Sequence, residues 1–235
     1  MFHFLHLSHY PIYDQLLLEE ALLRTDKRNW CIINEGSPPA IVLGISGKKE
    51  ELVDCARAEQ DHIPLIKRFS GGGTVIVDEN TLFVTFICQK EIHDFPAYPE
   101  PILRWHETLY RDVFDHPNFQ LRENDFVIAD RKCGGNAQYI KKDRWLHHTS
   151  FLWDYRPENM SYLLLPNKTP QYRQRRSHDD FLCRLSDYFP SKQTLIDNLK
   201  TTLTKRFEVQ AHTLDDLLFE LKQFERQATI QINPL

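Results

Sequence analysis

The sequence predicts an α+β fold, a mixed and largely antiparallel β-sheet flanked by helices. Three observations predict it. Strand-length runs of β-branched and aromatic residues follow one another between turn signals, and segments with one wide apolar face are inserted among them. A content of 41% hydrophobic, 12% aromatic and 26% charged residues is that of a globular protein. At 235 residues the chain reads as a single domain, 1–235, long enough to bury a core without staples.

The first helix is expected over 12–24, where Leu16, Leu17, Leu18, Ala21, Leu22 and Leu23 give the apolar face and Pro11 sits at the start. Strands are expected over 30–34 and 40–43, separated by the turn signal EGSPP. A helix over 50–60 then leads to a strand over 64–68. Strands over 74–77 and 81–88 are parted by Asp78-Glu79-Asn80, which reads as a hairpin turn and implies that the two pair with each other. Pro101 opens a helix through Phe114, with Pro117 beyond its end. Further strands are expected over 126–129, 136–141 and 145–153. Two closing helices, 192–207 and 213–226, carry leucines at helical spacing, and Thr213 stands at the N-cap position of the second.

Composition excludes several functions. A net charge of −4 gives no basic surplus for a general nucleic-acid binder. The longest apolar run, 82–88, is far short of the roughly 20 residues a bilayer demands. The start, MFHFLHLSHY, has no basic leader and no long apolar stretch, so a cytoplasmic protein without a secretory signal is expected. Five cysteines, odd in number and without a C-x-x-C pair, read as reduced thiols. His3, His6 and His9 do not converge on a strand, because His6 faces the other side, so no protein-borne metal site is expected.

Two segments carry candidate chemistry. In Arg68-Phe69-Ser70-Gly71-Gly72-Gly73-Thr74, three of the eight glycines fall together between expected strands. Such a run is either a bulged turn or a nest of backbone N–H groups that accepts a phosphate or carboxylate, with Arg68 beside it. It is neither the P-loop nor the dinucleotide fingerprint. The second segment, from Asn124 through Gln138, sets Lys132 just before Gly134 and Gly135. It reads as a charged hairpin turn, or as a lysine that neutralises a carboxylate and a phosphate together. Cys133 alternates to the opposite face and is a poor nucleophile candidate.

Taken together, KRFSGGGTVIVD and, well downstream, NDFVIADRKCGGNAQYIKKDRWLHHTSFL resemble the catalytic domain of the lipoate–protein ligase A family, within the biotin/lipoate ligase superfamily. The early YDQLLLEEALL is similar to the family's N-L-A-L-E-E segment, and the likeness spans about 12–151. The resemblance implies the biotin/lipoate ligase type of fold and attachment of lipoate or octanoate, through an acyl-adenylate, to one lysine of a lipoyl domain. ATP with Mg, or preformed lipoyl-AMP, is then the cosubstrate. The implied acceptors are lipoyl domains of 2-oxoacid dehydrogenase complexes and the glycine-cleavage H protein.

Roles follow from the resemblance residue by residue. Arg68, Gly73, Thr74, Val75 and Ile76 match the adenylate-binding loop and strand, and Ser70, Gly71, Gly72 and His148 match positions lining the lipoyl group. Lys132 matches the catalytic lysine that polarises the acyl carbonyl. Asn124 and Asp125 sit where the family keeps polar residues near the adenylate, and His147-His148 match the family's H-H-G-T segment, here His-His-Thr-Ser, as a pair that either shapes the acyl tunnel or is structural. Arg173 and Arg176, in a basic cluster, form either a solvated loop or a docking point for an acidic lipoyl domain or a nucleotide.

The chain also departs from the family. Val77 replaces its usual histidine, and Leu43-Gly44-Ile45-Ser46-Gly47 lacks the arginine and glutamine of G-R-x-Q-N. The family's C-terminal accessory domain, associated with adenylate formation, is not expected within this length. Three enzyme readings follow: a complete ligase, a transferase using acyl-AMP made elsewhere, or a partner of a separate accessory protein. The rivals are an octanoyltransferase fed by acyl carrier protein, whose cysteine has no counterpart in 121–125, and a non-catalytic lipoyl-adenylate-binding protein. A biotin ligase is disfavoured, since no G-R-G-R-x-x-R-x-W loop occurs.

Overall fold

A computed structural model describes residues 1–165, 169–217 and 227–233. The elements are β1 (Phe2–Ser8), α1 (Ile12–Thr25), β2 (Trp30–Glu35), β3 (Ala40–Leu43), α2 (Lys49–Leu52), α3 (Cys55–Gln60), β4 (Leu65–Lys67), β5 (Val75–Val77) and β6 (Thr81–Gln89). They continue with α4 (Pro99–Phe114), β7 (Phe119–Arg122), β8 (Asp125–Ile128), β9 (Arg131–Ile140), β10 (Arg144–Leu152), α5 (His178–Phe181), α6 (Lys192–Arg206), β11 (Val209–His212) and β12 (Ile230–Ile232). Eight strands form one sheet in the order β11-β1-β2-β6-β10-β9-β8-β7, and four form a second in the order β12-β4-β3-β5. Pairing is antiparallel except for β1 with β11, β1 with β2, and β3 with β4. The α+β expectation of a mixed, largely antiparallel sheet holds.

Both faces of the large sheet are covered, which explains why its strands are apolar at consecutive positions. On one face Phe2, Phe4, Cys31, Ile33, Leu82, Val84 and Phe86 pack against Leu109, Tyr110 and Val113 of α4 and Leu195, Leu199 and Leu203 of α6. On the other, Leu5, Leu7, Trp30, Ile32, Ile87 and Leu146 meet Leu18, Leu22 and Leu23 of α1. The strand period of two sends alternate residues to two different cores. Burial of this kind contributes roughly 25 cal/mol per Å² of apolar surface. The small sheet repeats the device, with Ala40, Val42, Ile66 and Val77 packing with Ile12 and Leu16 of α1.

The turn at Asp78-Glu79-Asn80 does not join paired strands. Its local chemistry is that of a tight turn, with Asp78 Oδ1 accepting from the Asn80 N–H at 2.8 Å and Asp78 O from the Thr81 N–H at 3.1 Å. However, β5 pairs with β3 in the small sheet, and β6 lies between β2 and β10 in the large one. The turn therefore carries the chain from sheet to sheet. The single helix expected over 50–60 is divided as well. Val53 bridges to Leu163, and Asp54 caps α3 by accepting from the Arg57 N–H at 3.1 Å. β1, β7, β11 and β12 were not anticipated as strands, and β9 begins five residues before the expected 136, so Lys132 and Cys133 lie within it.

The helix expected over 213–226 lies outside the described residues beyond Leu217. In its described part Asp215–Leu217 is a 3₁₀ turn, where Thr213 donates its N–H and hydroxyl to Asp216 Oδ2. No described helix is long and apolar enough to cross a membrane. All five cysteines are free thiols. His3 meets His212 at 2.7 Å while His6 points outward to Glu35 at 2.6 Å.

Candidate active site

The glycine loop joins β4 to β5 and leans on β9. The Gly71 N–H donates to Gln138 O at 3.0 Å, which brings the two sequence segments together. Gly72 has φ +123°, and a Cβ there would stand 2.7 Å from the Arg68 guanidinium and 2.9 Å from Ala137 Cβ. Glycine is therefore required at 72 both by conformation and by space. At Gly73 a Cβ would meet nothing within 4 Å.

Arg68 is buried and turned into its own loop. It donates to Gly73 O at 2.7 Å, Gly71 O at 3.3 Å and Val42 O at 3.4 Å. Burial pulls its guanidinium down to about 10, with Glu19 acting in the opposite sense. Arg68 thus braces the loop's carbonyls from within. The Arg68 Nε and the Thr74 hydroxyl are buried without a hydrogen-bond partner. Val75 and Ile76 continue the loop as β5, paired with Val42 and Ile41.

Behind the loop runs a chain of polar groups. Ser70 Oγ lies 3.4 Å from His148 Nε2, and His148 Nδ1 lies 2.9 Å from Glu19 Oε2. Glu19, fully buried on α1, also accepts from Thr85 Oγ1 at 2.7 Å and Gln15 Nε2 at 2.8 Å. With His148 oriented by a carboxylate, Ser70 is fixed by its neighbour on β10. The preceding His147 faces away. It stacks on His106 at 3.8 Å and bonds Gln138 Nε2 at 3.0 Å through Nδ1, and burial pushes it well below the usual histidine range.

Lys132 stands on β9 with its Nζ 2.8 Å from Asp125 Oδ1. A β-bulge between Phe126 and Val127 shifts the register of β8 on β9, so that Asp125 lies opposite Gly135 and Lys132 opposite Val127. Gly135 leaves room for the lysine, since a Cβ there would lie 3.2 Å from Nζ. Asp125 Oδ2 accepts the Tyr172 hydroxyl at 2.8 Å. Asn124 is exposed at the turn and contributes its carbonyl to Asn136 Nδ2 at 2.9 Å. Cys133 is buried on the opposite face, where its Sγ donates to Phe126 O and burial raises its thiol far above the usual range.

Arg173 and Arg176 turn inward. Each Nε donates to the other's carbonyl at 3.1 Å, and Arg176 also holds Asp130 Oδ2 at 3.0 Å and Tyr172 O at 2.9 Å. Burial lowers the Arg173 guanidinium. Neither presents a free guanidinium for docking; Arg175, between them, is the exposed member. Among the described residues, no three His, Cys, Asp or Glu side chains gather as metal ligands.

A model of the lipoyl protein ligase A/B catalytic domain matches residues 11–208. The chain belongs to this family. Among its relatives is "Inactive lipoate–protein ligase 2" of Plasmodium falciparum, 30% identical over 241 aligned residues. That alignment covers 77% of this chain and 62% of the relative, so the chain spans less than two thirds of the relative's length. Two solved structures share the fold over 94% of this chain: lipoate-protein ligase A bound with ATP, with a TM-score of 0.76, 15% identity and 92% of that chain covered, and the bipartite lipoate protein ligase of Thermoplasma acidophilum, with 0.77, 17% and 90%. The second is described with its E2 lipoyl domain.

The structure sets Ser70 beside His148 and Lys132 beside Asp125, and turns Arg68, expected at the adenylate, into its own loop; Glu19, Gln138 and Tyr172, which contact these groups, were not singled out in the sequence. Glu19 had a readable signal, a carboxylate on the apolar face of a leucine-rich helix. Tyr172 had none, because its partner is set by a loop rather than by spacing.

Proposed function

We propose that this chain is a single catalytic domain that transfers a lipoyl or octanoyl group from acyl-AMP to a lysine of a lipoyl domain. The observation that carries the reading is Lys132, tied to Asp125 on the strand against which the glycine loop is hydrogen-bonded. A loop that leaves its outer side open at Gly73 offers the adenylate a seat, and Arg68 keeps that loop in shape. Lys132 Nζ, turned from Asp125 toward the substrate, polarises the acyl carbonyl. The acceptor amine attacks that carbon, the bond to the AMP oxygen breaks, and AMP departs as a phosphate monoester with release of the amine's proton. Holding both partners in place supplies much of the rate. Ser70 and His148 line the acyl end, and Thr74, Val75 and Ile76 the nucleotide side, with Asn124 at its rim. The acceptors are lipoyl domains of 2-oxoacid dehydrogenase complexes or the glycine-cleavage H protein.

The ATP named in one related structure's title and the lipoyl domain named in another's support this substrate set. The word "inactive" in a relative's name favours a second reading, binding of acyl-AMP without transfer. The test is intact mass of a purified lipoyl domain after incubation with lipoate plus Mg·ATP, and in parallel with lipoyl-AMP. Modification in both makes the chain a complete ligase, and modification with lipoyl-AMP alone makes it a transferase. No modification in either, with lipoyl-AMP bound, establishes the non-catalytic reading.

A further inference from the structure

Tyr172 is gripped from three sides by the turn that carries Asp125. The Arg122 guanidinium lies over its ring at 4.9 Å, its backbone N–H donates to Glu123 Oε1 at 3.0 Å, and its hydroxyl donates to Asp125 Oδ2 at 2.8 Å. The chain just beyond it is strained, since Gln174 and Arg175 both adopt left-handed conformations with φ 51° and 60°. The reciprocal Arg173–Arg176 bonds and the reach of Arg176 to Asp130 hold that strained loop down. Strain persists only where the surroundings over-determine it, and here the surroundings deliver one phenol to one carboxylate.

That carboxylate is the partner of Lys132. We infer that Tyr172 is a positioning residue for the acyl transfer, acting through Asp125 to set how firmly Lys132 is held. The inference rests on the transfer reading above. Asp125 is nearly shut off from water and has two donors, the Lys132 ammonium on Oδ1 and the Tyr172 phenol on Oδ2. When Lys132 turns to the acyl carbonyl, the phenol keeps the carboxylate from being left alone, and a buried anion without a partner is costly. An O–H donated to a carboxylate is a charge-assisted bond, among the stronger kinds a protein makes. Without it, Asp125 retains Lys132 more tightly and the lysine reaches the substrate less often.

Tyr172→Phe removes the hydroxyl and keeps the ring under Arg122. The first measurement requires no enzymatic turnover: acetylation of the Lys132 amine by acetic anhydride, followed by peptide mass spectrometry. It should be slower in the variant, whereas a merely loosened loop would make it faster. The second is single-turnover transfer from lipoyl-AMP, expected to fall about tenfold, the loss that goes with one such bond, at an unchanged half-saturating acceptor concentration. The third places Tyr172→Phe in an Asp125→Asn background, where it should have no further effect. Labelling that is unchanged or accelerated, or rate losses that simply multiply, overturns the inference. If the wild-type chain transfers nothing while labelling still slows in the variant, the coupling of Tyr172 to Lys132 stands and the transfer reading alone falls.

Discussion

Gly72 and Gly73 are neighbours with opposite demands. Alanine at 72 would hold a left-handed backbone and press its methyl on Arg68 and Ala137, whereas alanine at 73 would enter open space. Gly72→Ala should lose about 1–3 kcal/mol, seen as a fall of several degrees in Tm. Gly73→Ala should keep its Tm, as substitutions without contacts stay within about 0.5 kcal/mol, yet weaken lipoyl-AMP binding by calorimetry, because its methyl takes room the ligand would use. Equal Tm losses in the two variants would refute this reading of the loop. Lys132→Ala should reduce single-turnover transfer by roughly 100-fold or more, the scale of losing one transition-state donor, while its circular dichroism spectrum is unchanged. Retained transfer would remove Lys132 from catalysis.

Elements carried part of this in the sequence and part only in the fold. The β6 run and the two-faced apolar pattern of β2 were legible because side-chain period is local. The pairing of β5 was not, since the same turn at 78–80 serves a hairpin or a passage between sheets, and partner choice depends on β3. Short strands such as β7 and β12 contain too few residues to show a period. The site divides the same way. Arg68 and Lys132 stood out by residue type beside glycines, but the phenol of Tyr172 meets Asp125 through a loop fixed by Arg122, Glu123 and Arg176, which no local spacing encodes. Arg176→Ala should therefore speed amide hydrogen exchange over 170–181 while β10 keeps its protection. An acceptor KM whose salt dependence steepened or vanished in this variant would instead restore a docking role; the inward geometry predicts the same salt dependence as the wild type.

For the whole molecule, the consequence of largest reach is acid lability centred on the buried histidine stack between α4 and β10. Burial pushes His106 down to about 3 and His147 well below its ordinary range. In the folded state both are neutral at pH 6, whereas in the unfolded chain they titrate near 6.5. The unfolded state then binds more protons, so stability is fully present above pH 6.5 and is lost as pH falls toward the folded values, by about 1.4 kcal/mol per unit for each histidine. Hydrogen bonding gives the same sign. His147 Nδ1 faces the Gln138 amide, which also donates to Pro99 O at 3.2 Å, so a proton on Nδ1 would set donor against donor. His106→Leu, which removes one titrating ring and an unpartnered Nε2, should flatten the acid limb of a plot of urea midpoint against pH between 7 and 4.5. A wild-type midpoint constant over that range would sink the argument. Gln138 joins this stack to the site, because its backbone carbonyl holds the Gly71 N–H; since His147 stays neutral in the folded state, lipoyl-AMP affinity should follow the folded fraction as pH falls rather than decline ahead of the global unfolding signal.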